Sequence, residues 1–134
     1  MKEKAELVLG WLRKAQSDEV AVDVTLRAHA LDVACFHAQQ AAEKYLKAFL
    51  THHEAPFPYT HNLSKLVELC AQVDPDFRSL LPQVEPLTPY AVRPRYDASF
   101  WPSQEVAEEA GTVAHDVSKF VRHRLPDDIW KAAE

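Results

Sequence analysis

The chain has 134 residues, 47% apolar and 26% charged, a balance typical of one compact globular domain. Its formal net charge of −5 argues against a protein that coats long nucleic acids, although a local basic site is compatible with that charge. The apolar runs are too short for a signal peptide or a bilayer-spanning helix, so we expect a cytoplasmic protein with no membrane partner.

The N-terminal part of the sequence predicts two helices. Apolar residues recur every three or four positions from residue 2 to about 29, and again from about 31 to 53. No Gly or Pro separates the two segments, so the pattern alone also allows one long helix. Because very long helices are rare in globular proteins, we expect a break within 28–32, with Asp32 as a helix N-cap. Gly10 is expected to lie where another helix crosses closely.

The middle of the chain is interrupted by Pro. Two Pro end the second helix, and a short third helix is predicted over 63–73. Asp74 followed by Pro75 is a typical helix start, and this segment is expected to end near residue 81. Residues 82–102 contain five Pro and are predicted to form no regular helix. Their four aromatic side chains favour packing over disorder.

The last helix has the clearest pattern. It begins after Ser103, which suits an N-cap, and runs to about residue 125, with acidic residues near its start and basic residues near its end. We expect residues 127–134 to be a frayed tail. The sequence as a whole predicts an all-α, up-down bundle of four to five helices, with a single domain over residues 1–126.

Three sequence blocks resemble the HEPN domain family, whose name abbreviates higher-eukaryote and prokaryote nucleotide-binding. They are CFHAQQAAEKYLKAFL at 35–50, HNLSKLVELC at 61–70 and YAVRPRYD at 90–97, followed by an amphipathic helix. The resemblance covers about residues 3–125. It implies a bundle of four or five helices, usually a homodimer, often encoded beside a minimal nucleotidyltransferase and in some cases forming a toxin–antitoxin pair.

Ribonucleases of this family resemble one another in an Arg that is followed, after four to six residues, by a His. None of the seven Arg in this sequence has a His at that distance. The chain therefore resembles the branch that lacks the ribonuclease motif, and the sequence leaves open whether it is an enzyme.

A row of polar residues along the second helix is the first candidate site. His37, Gln40, Lys44 and Lys47 are spaced to lie on one helical face, where they could bind a phosphate group. The alternative is a solvated face on which Glu43 and Lys47 form an i,i+4 ion pair.

Arg93, Arg95 and Tyr96 form the second candidate, with guanidinium groups for phosphate and a ring for base stacking. The alternative is that an Arg holds its irregular segment in place by bonding carbonyls or a carboxylate. His61 is the third candidate, either as a ligand-binding residue or as a structural residue at a helix entry. No carboxylate or thiol accompanies the histidines at a usual ligand spacing, so no metal or cofactor is expected.

These observations favour a nucleotide- or phosphate-binding module, homodimeric and acting with a nucleotidyltransferase partner. Its ligand, a nucleotide or RNA, would occupy a cationic cleft between the second helix and the Pro-rich segment. Two alternatives stay open. One is a ribonuclease toxin with an atypical active site, using His61 or His37 with Arg95. The other is a non-catalytic structural subunit.

Overall fold

The protein is an all-helical bundle, as predicted. The computed structural model describes residues 3–134, and no strand occurs in this part of the chain. The helix predicted to begin at residue 2 therefore has its expected start outside the described residues. The helices are α1 (Lys4–Arg27), α2 (Leu31–His52), α3 (Leu63–Val73), α4 (Leu81–Val84), α5 (Arg93–Tyr96), α6 (Gln104–Arg122) and α7 (Asp127–Ala133), with 3₁₀ segments at Pro75–Leu80 and Glu85–Ala91.

Helix α2 is the centre of the bundle. It packs along α1 on one side and against α6 on another, and it also contacts α3 and α5. Its small residues, such as Ala38, Ala41 and Ala42, are completely buried, which lets the neighbouring helices approach closely. Its polar residues Gln39, Glu43 and Lys47 are buried as well, so they must find partners within the bundle.

The predicted break between the first two helices is present, but its cause differs from the prediction. His29 adopts φ 58°, the left-handed conformation that is uncommon for residues other than Gly, and this reverses the chain. Ala30 occupies the N-cap position of α2 without a side-chain cap, and Asp32 lies in the first turn. Asp32 is therefore not the cap, although its charge still suits the positive end of the helix dipole.

The expectation for Gly10 was wrong. Gly10 is exposed, and a Cβ atom added there would meet nothing within 4 Å. The close helix crossing is instead at Gly111 in α6, where an added Cβ would lie 3.1 Å from Val22 Cγ1 of α1.

The Pro-rich segment is more regular than predicted. The 3₁₀ segment Glu85–Ala91 and the single helical turns α4 and α5 each carry a Pro in the first turn, where its missing N–H is not needed. Two of the four aromatic residues pack together, with the Tyr90 and Phe100 rings 5.5 Å apart. Tyr96 and Trp101 do not pack in this way and are each 75% exposed.

The predicted frayed tail is instead a packed helix. Trp130 of α7 is 2% exposed, and its ring lies 5.9 Å from that of Tyr45. Arg13 of α1 donates a hydrogen bond to the Ala132 carbonyl at 3.0 Å. The buried indole and the hydrogen bond from α1 attach this seven-residue helix to the bundle. The local sequence pattern did not predict the helix, because its order depends on these tertiary contacts.

Both cysteines are free and buried. Burial raises the pKa of the Cys35 thiol to about 11 and also raises the pKa of the Cys70 thiol. Among residues 3–134, no helix is both long and apolar enough to cross a bilayer.

Candidate functional site

A buried carboxylate of α1 binds two members of the predicted polar row. Asp18 Oδ1 lies 2.8 Å from His37 Nδ1, and Asp18 Oδ2 lies 2.6 Å from Lys44 Nζ. The Asp18 side chain is only 10% exposed. The positive charge of Lys44 is therefore already matched within the chain.

A second buried carboxylate, Glu43 of α2, binds the other side of the row. Its Oε1 accepts hydrogen bonds from His61 Nδ1 at 2.8 Å and Gln39 Nε2 at 3.1 Å, and its Oε2 lies 3.0 Å from Lys47 Nζ. Gln39 also donates to the His61 carbonyl, and Gln40 donates to the Gln39 amide oxygen. This network satisfies the buried amide of Gln39, as burial of a polar group requires.

Three aromatic rings surround the Lys47 ammonium. Its Nζ lies 5.4 Å from the ring centroid of Trp11, 5.9 Å from that of Phe57 and 5.8 Å from that of Tyr59. These are cation–π distances, and the Lys47 side chain is 5% exposed. Lys47 therefore holds α1, α2 and the segment after α2 together, and it is not on the surface to meet a ligand.

The residues of the second candidate lie in and around the single turn α5. Arg93 forms an ion pair with Asp97 at 3.3 Å and lies over the Phe100 ring. Arg95 donates one hydrogen bond to the Ala91 carbonyl at 2.8 Å and lies over the Tyr96 ring. Both Arg thus help to hold their segment in place, the alternative that the sequence left open.

Arg95 also brings the second candidate to the first. Its guanidinium carbon lies 4.8 Å from the centroid of the Phe36 ring in α2, and the same ring lies 5.2 Å from that of His37. Within residues 3–134, Arg95 forms no ion pair with a carboxylate. Arg95 and His37 therefore both contact the Phe36 ring, and Arg95 keeps donors for another acceptor.

The predicted cations do not converge in one hollow. Lys44 pairs with Asp18, Lys47 with Glu43 and Arg93 with Asp97. One cavity of about 370 Å³ lies between α1 and α6, and another of about 450 Å³ lies between α6 and the Pro-rich segment. Neither of these two cavities is lined by a predicted site residue.

Sequence reasoning missed the two carboxylates that organise the site. Asp18 follows Ala15 and precedes Val22 in the buried stripe of α1, and an acid in such a stripe is a signal for a buried partner. For Glu43, the sequence predicts only an ion pair, either with a solvated Lys47 or with an Arg. Within the described residues, no cluster of three or more His, Cys, Asp or Glu is placed to hold a metal ion.

One protein family was identified by comparison with known proteins. The HEPN domain family model matches residues 8–124 of the chain. No curated protein matches it.

Two solved structures have the same fold. TT1696 from Thermus thermophilus is 25% identical, with a TM-score of 0.72, over 92% of this chain and 100% of that one. ST0689, described as an archaeal HEPN homologue, is 21% identical, with a TM-score of 0.70, over 92% of this chain and 98% of that one.

Proposed function

Because the chain belongs to the HEPN domain family, we propose that it is a binding module for a nucleotide or another ligand that carries a phosphate group. The observation that supports this most is that Arg95 forms no ion pair with a carboxylate in the described part of the chain and contacts the Phe36 ring, which His37 also contacts. A guanidinium with free donors is a suitable partner for a phosphate oxygen, and an imidazole on the same ring can add a hydrogen bond.

The proposed site gives different roles to the predicted residues. Arg95 makes the main contact with the anion, and His37 and Gln40 supply hydrogen bonds from α2. Tyr96, which is 75% exposed, offers a ring on which a base can stack. The remaining candidates act indirectly. The charges of Lys44, Lys47 and Arg93 are paired with carboxylates of their own chain, and the His61 ring lies between Glu43 and the Tyr59 hydroxyl.

Calorimetric titration with ATP, AMP, GTP and inorganic phosphate tests the proposal. We expect heat of binding for at least one of these ligands, and at least a tenfold loss of affinity in Arg95→Ala, as for the loss of one charged hydrogen bond of about 1.5–3 kcal/mol. Arg78→Ala is the matched control, because Arg78 is half exposed and pairs with Glu68 of α3. No heat with any ligand, or equal affinity in both variants, would exclude the site.

The proposal also includes a homodimer that acts with a nucleotidyltransferase partner. Both follow from the family resemblance. Sedimentation of the purified chain tests the dimer. Co-expression with a nucleotidyltransferase encoded beside it, followed by size-exclusion chromatography, tests the partner.

A ribonuclease is the second candidate function. Asp18 orients the His37 imidazole through Nδ1, and His37 and Arg95 both contact the Phe36 ring, so an oriented acid–base group and a cation share one neighbour. His61, the other histidine considered, is held by Glu43 instead. Incubation with single-stranded RNA distinguishes the functions: a ribonuclease cleaves it, and His37→Ala stops the cleavage, whereas a binding module leaves the RNA intact.

A non-catalytic structural subunit is favoured by different contacts. Lys44 and Lys47 are both bound to carboxylates of their own chain, as expected if the polar row only stabilises the fold. A chain that binds none of the titrated ligands, cleaves no RNA and still forms a complex with its partner would have this role.

A further inference from the structure

Three side chains, one from α2 and two from the segment that follows it, are aligned as in a nucleophilic site. Tyr59 is 90% exposed, and its hydroxyl oxygen lies 3.4 Å from His61 Nε2. The other nitrogen of that ring, Nδ1, lies 2.8 Å from Glu43 Oε1, and the Glu43 side chain is 4% exposed. A hydroxyl, an imidazole and a buried carboxylate thus follow one another from the surface inward.

The hydrogen bonds of Glu43 determine where the protons lie. Its carboxylate accepts from Gln39 Nε2 and is paired with the Lys47 ammonium, so it acts as an acceptor on both oxygens. His61 Nδ1 must then carry a proton, and its N–H donates a hydrogen bond to the Glu43 carboxylate. In the neutral imidazole the lone pair is left on Nε2, which faces the Tyr59 hydroxyl.

We propose that Tyr59 is a nucleophile that takes an acyl group from an activated carboxylic ester, with His61 as its general base and Glu43 as a positioning residue. The Tyr59 oxygen attacks the carbonyl carbon while its proton moves to His61 Nε2. The ester C–O bond then breaks, the leaving oxygen departs with the electron pair, and an acyl–tyrosine ester forms. A nucleophile, a base in hydrogen-bond reach and a third group that orients the base are the parts such a step requires.

The charges around Tyr59 favour an uncharged electrophile. Lys47 lies 5.8 Å from the centroid of the Tyr59 ring, but its charge is matched by Glu43 at 3.0 Å. Within residues 3–134, no Arg contacts the Tyr59 ring or hydroxyl to neutralise a phosphoryl group. This proposal is independent of the phosphate site, since Arg95 has no part in it.

p-Nitrophenyl acetate is a suitable probe, with the acetylated residue identified by peptide mass spectrometry. Tyr96 provides a control within the same molecule, because it is 75% exposed and no histidine contacts it in the described part of the chain. General-base assistance is worth roughly 10²–10⁴ in rate, so we expect Tyr59 to be acetylated at least about tenfold faster than Tyr96. Equal rates at the two tyrosines would overturn the proposal.

Substitutions separate the three roles. Tyr59→Phe keeps the ring beside Lys47 and removes only the hydroxyl, so the peptide that contains residue 59 should no longer be acetylated. His61→Gln lowers the Tyr59 rate to that of Tyr96, and it leaves the Tyr96 rate unchanged. Release of p-nitrophenol that persists in Tyr59→Phe but not in His61→Gln would show that the histidine, not the tyrosine, is the nucleophile, and would contradict the proposal.

The pH profile tests the positioning role of Glu43. At neutral pH, the wild-type Tyr59 rate is expected to exceed that of His61→Gln, because only the wild type has a general base beside the hydroxyl. In His61→Gln the Tyr59 rate should rise with pH only as hydroxide replaces the missing base. A folded Glu43→Gln variant, checked by circular dichroism, is expected to fall between these profiles. If Glu43→Gln unfolds, the pH profile of His61→Gln alone tests the role of the histidine. A His61→Gln profile equal to that of the wild type would show that His61 is not the general base.

Discussion

The Lys47 ammonium lies 3.0 Å from a Glu43 carboxylate oxygen, and both side chains are at most 5% exposed. The two residues are one helical turn apart on α2, so the sequence spacing alone suggests a weak surface pair. Burial changes the energetics, because removing one member leaves the other charge without a partner in a poorly solvated place. This pair therefore connects α2 to the rings around it and to His61.

We expect Glu43→Leu to lower the free energy of unfolding by about 3 kcal/mol, because Lys47, His61 and Gln39 lose their acceptor. The double variant Glu43→Leu with Lys47→Met should recover a large part of that loss, since no buried charge is left unpaired. Urea denaturation measures both. Arg78→Ala serves as the control: its pair with Glu68 is about half exposed, so the change should be within about 0.5 kcal/mol. A double variant no more stable than the single one would contradict this account.

Gly10→Ala should stabilise the protein by about 0.4–1 kcal/mol, because the residue is exposed within α1 and the new Cβ meets nothing. Gly111→Ala is the matched comparison. Its Cβ would come within 3.1 Å of Val22 Cγ1, so we expect that change to destabilise or to be neutral. Thermal unfolding followed by circular dichroism measures the difference, and a destabilised Gly10→Ala variant would indicate a contact on that face of α1.

Trp130 tests whether α7 is packed in solution. Truncating it to Ala should cost about 3 kcal/mol, because a large buried side chain is lost. Trp130→Phe should cost much less, since the indole N–H has no hydrogen-bond partner within the described residues and only packing is at stake. Denaturant unfolding measures both. If Trp130→Ala is as stable as the wild type, the tail frays as the sequence suggested.

His52 should make the protein less stable in mild acid. Burial, followed by the nearby charges of His53 and Lys4, lowers the pKa of His52, and its Nδ1 has no partner in the part of the chain that the structure describes. As the pH falls below the ordinary histidine value of about 6.5, the unfolded chain takes up a proton that the folded chain does not, so stability decreases. His52→Gln should make this decrease less steep between about pH 7 and 5, as measured by urea unfolding. His123→Gln, at an exposed position, should leave the wild-type steepness unchanged.

Most of the fold could be predicted from the sequence because its signals are local. Ser103 caps α6 by accepting a hydrogen bond from Val106 N–H, and Asp74 caps the 3₁₀ segment Pro75–Leu80 by accepting one from Asp76 N–H. The corner between α1 and α2 could not be attributed to a residue, because a positive φ is uncommon for residues other than Gly and nothing in the sequence singles out His29 for it. The order of α7 likewise depends on Trp130 reaching Tyr45, a contact between residues far apart in the sequence.

The candidate site could be predicted in part. The helical period correctly placed His37, Gln40, Lys44 and Lys47 on one face of α2. Their partners could not be inferred from α2 itself, because Asp18 belongs to another helix and His61 reaches Glu43 across the turn that follows. A pattern of residues on one helix indicates which side chains share a face, and only the neighbouring elements decide whether those charges are free.

Asp18 and Glu43 have one further consequence, for how a ligand would arrive at this face of the protein. Two acids matched to two lysines leave the middle of α2 close to electroneutral, so little attraction extends beyond the first layer of solvent. An anion would be held only after collision, by short contacts with Arg95 and its neighbours. Its association rate should therefore change little with ionic strength, unlike that of a ligand steered from a distance.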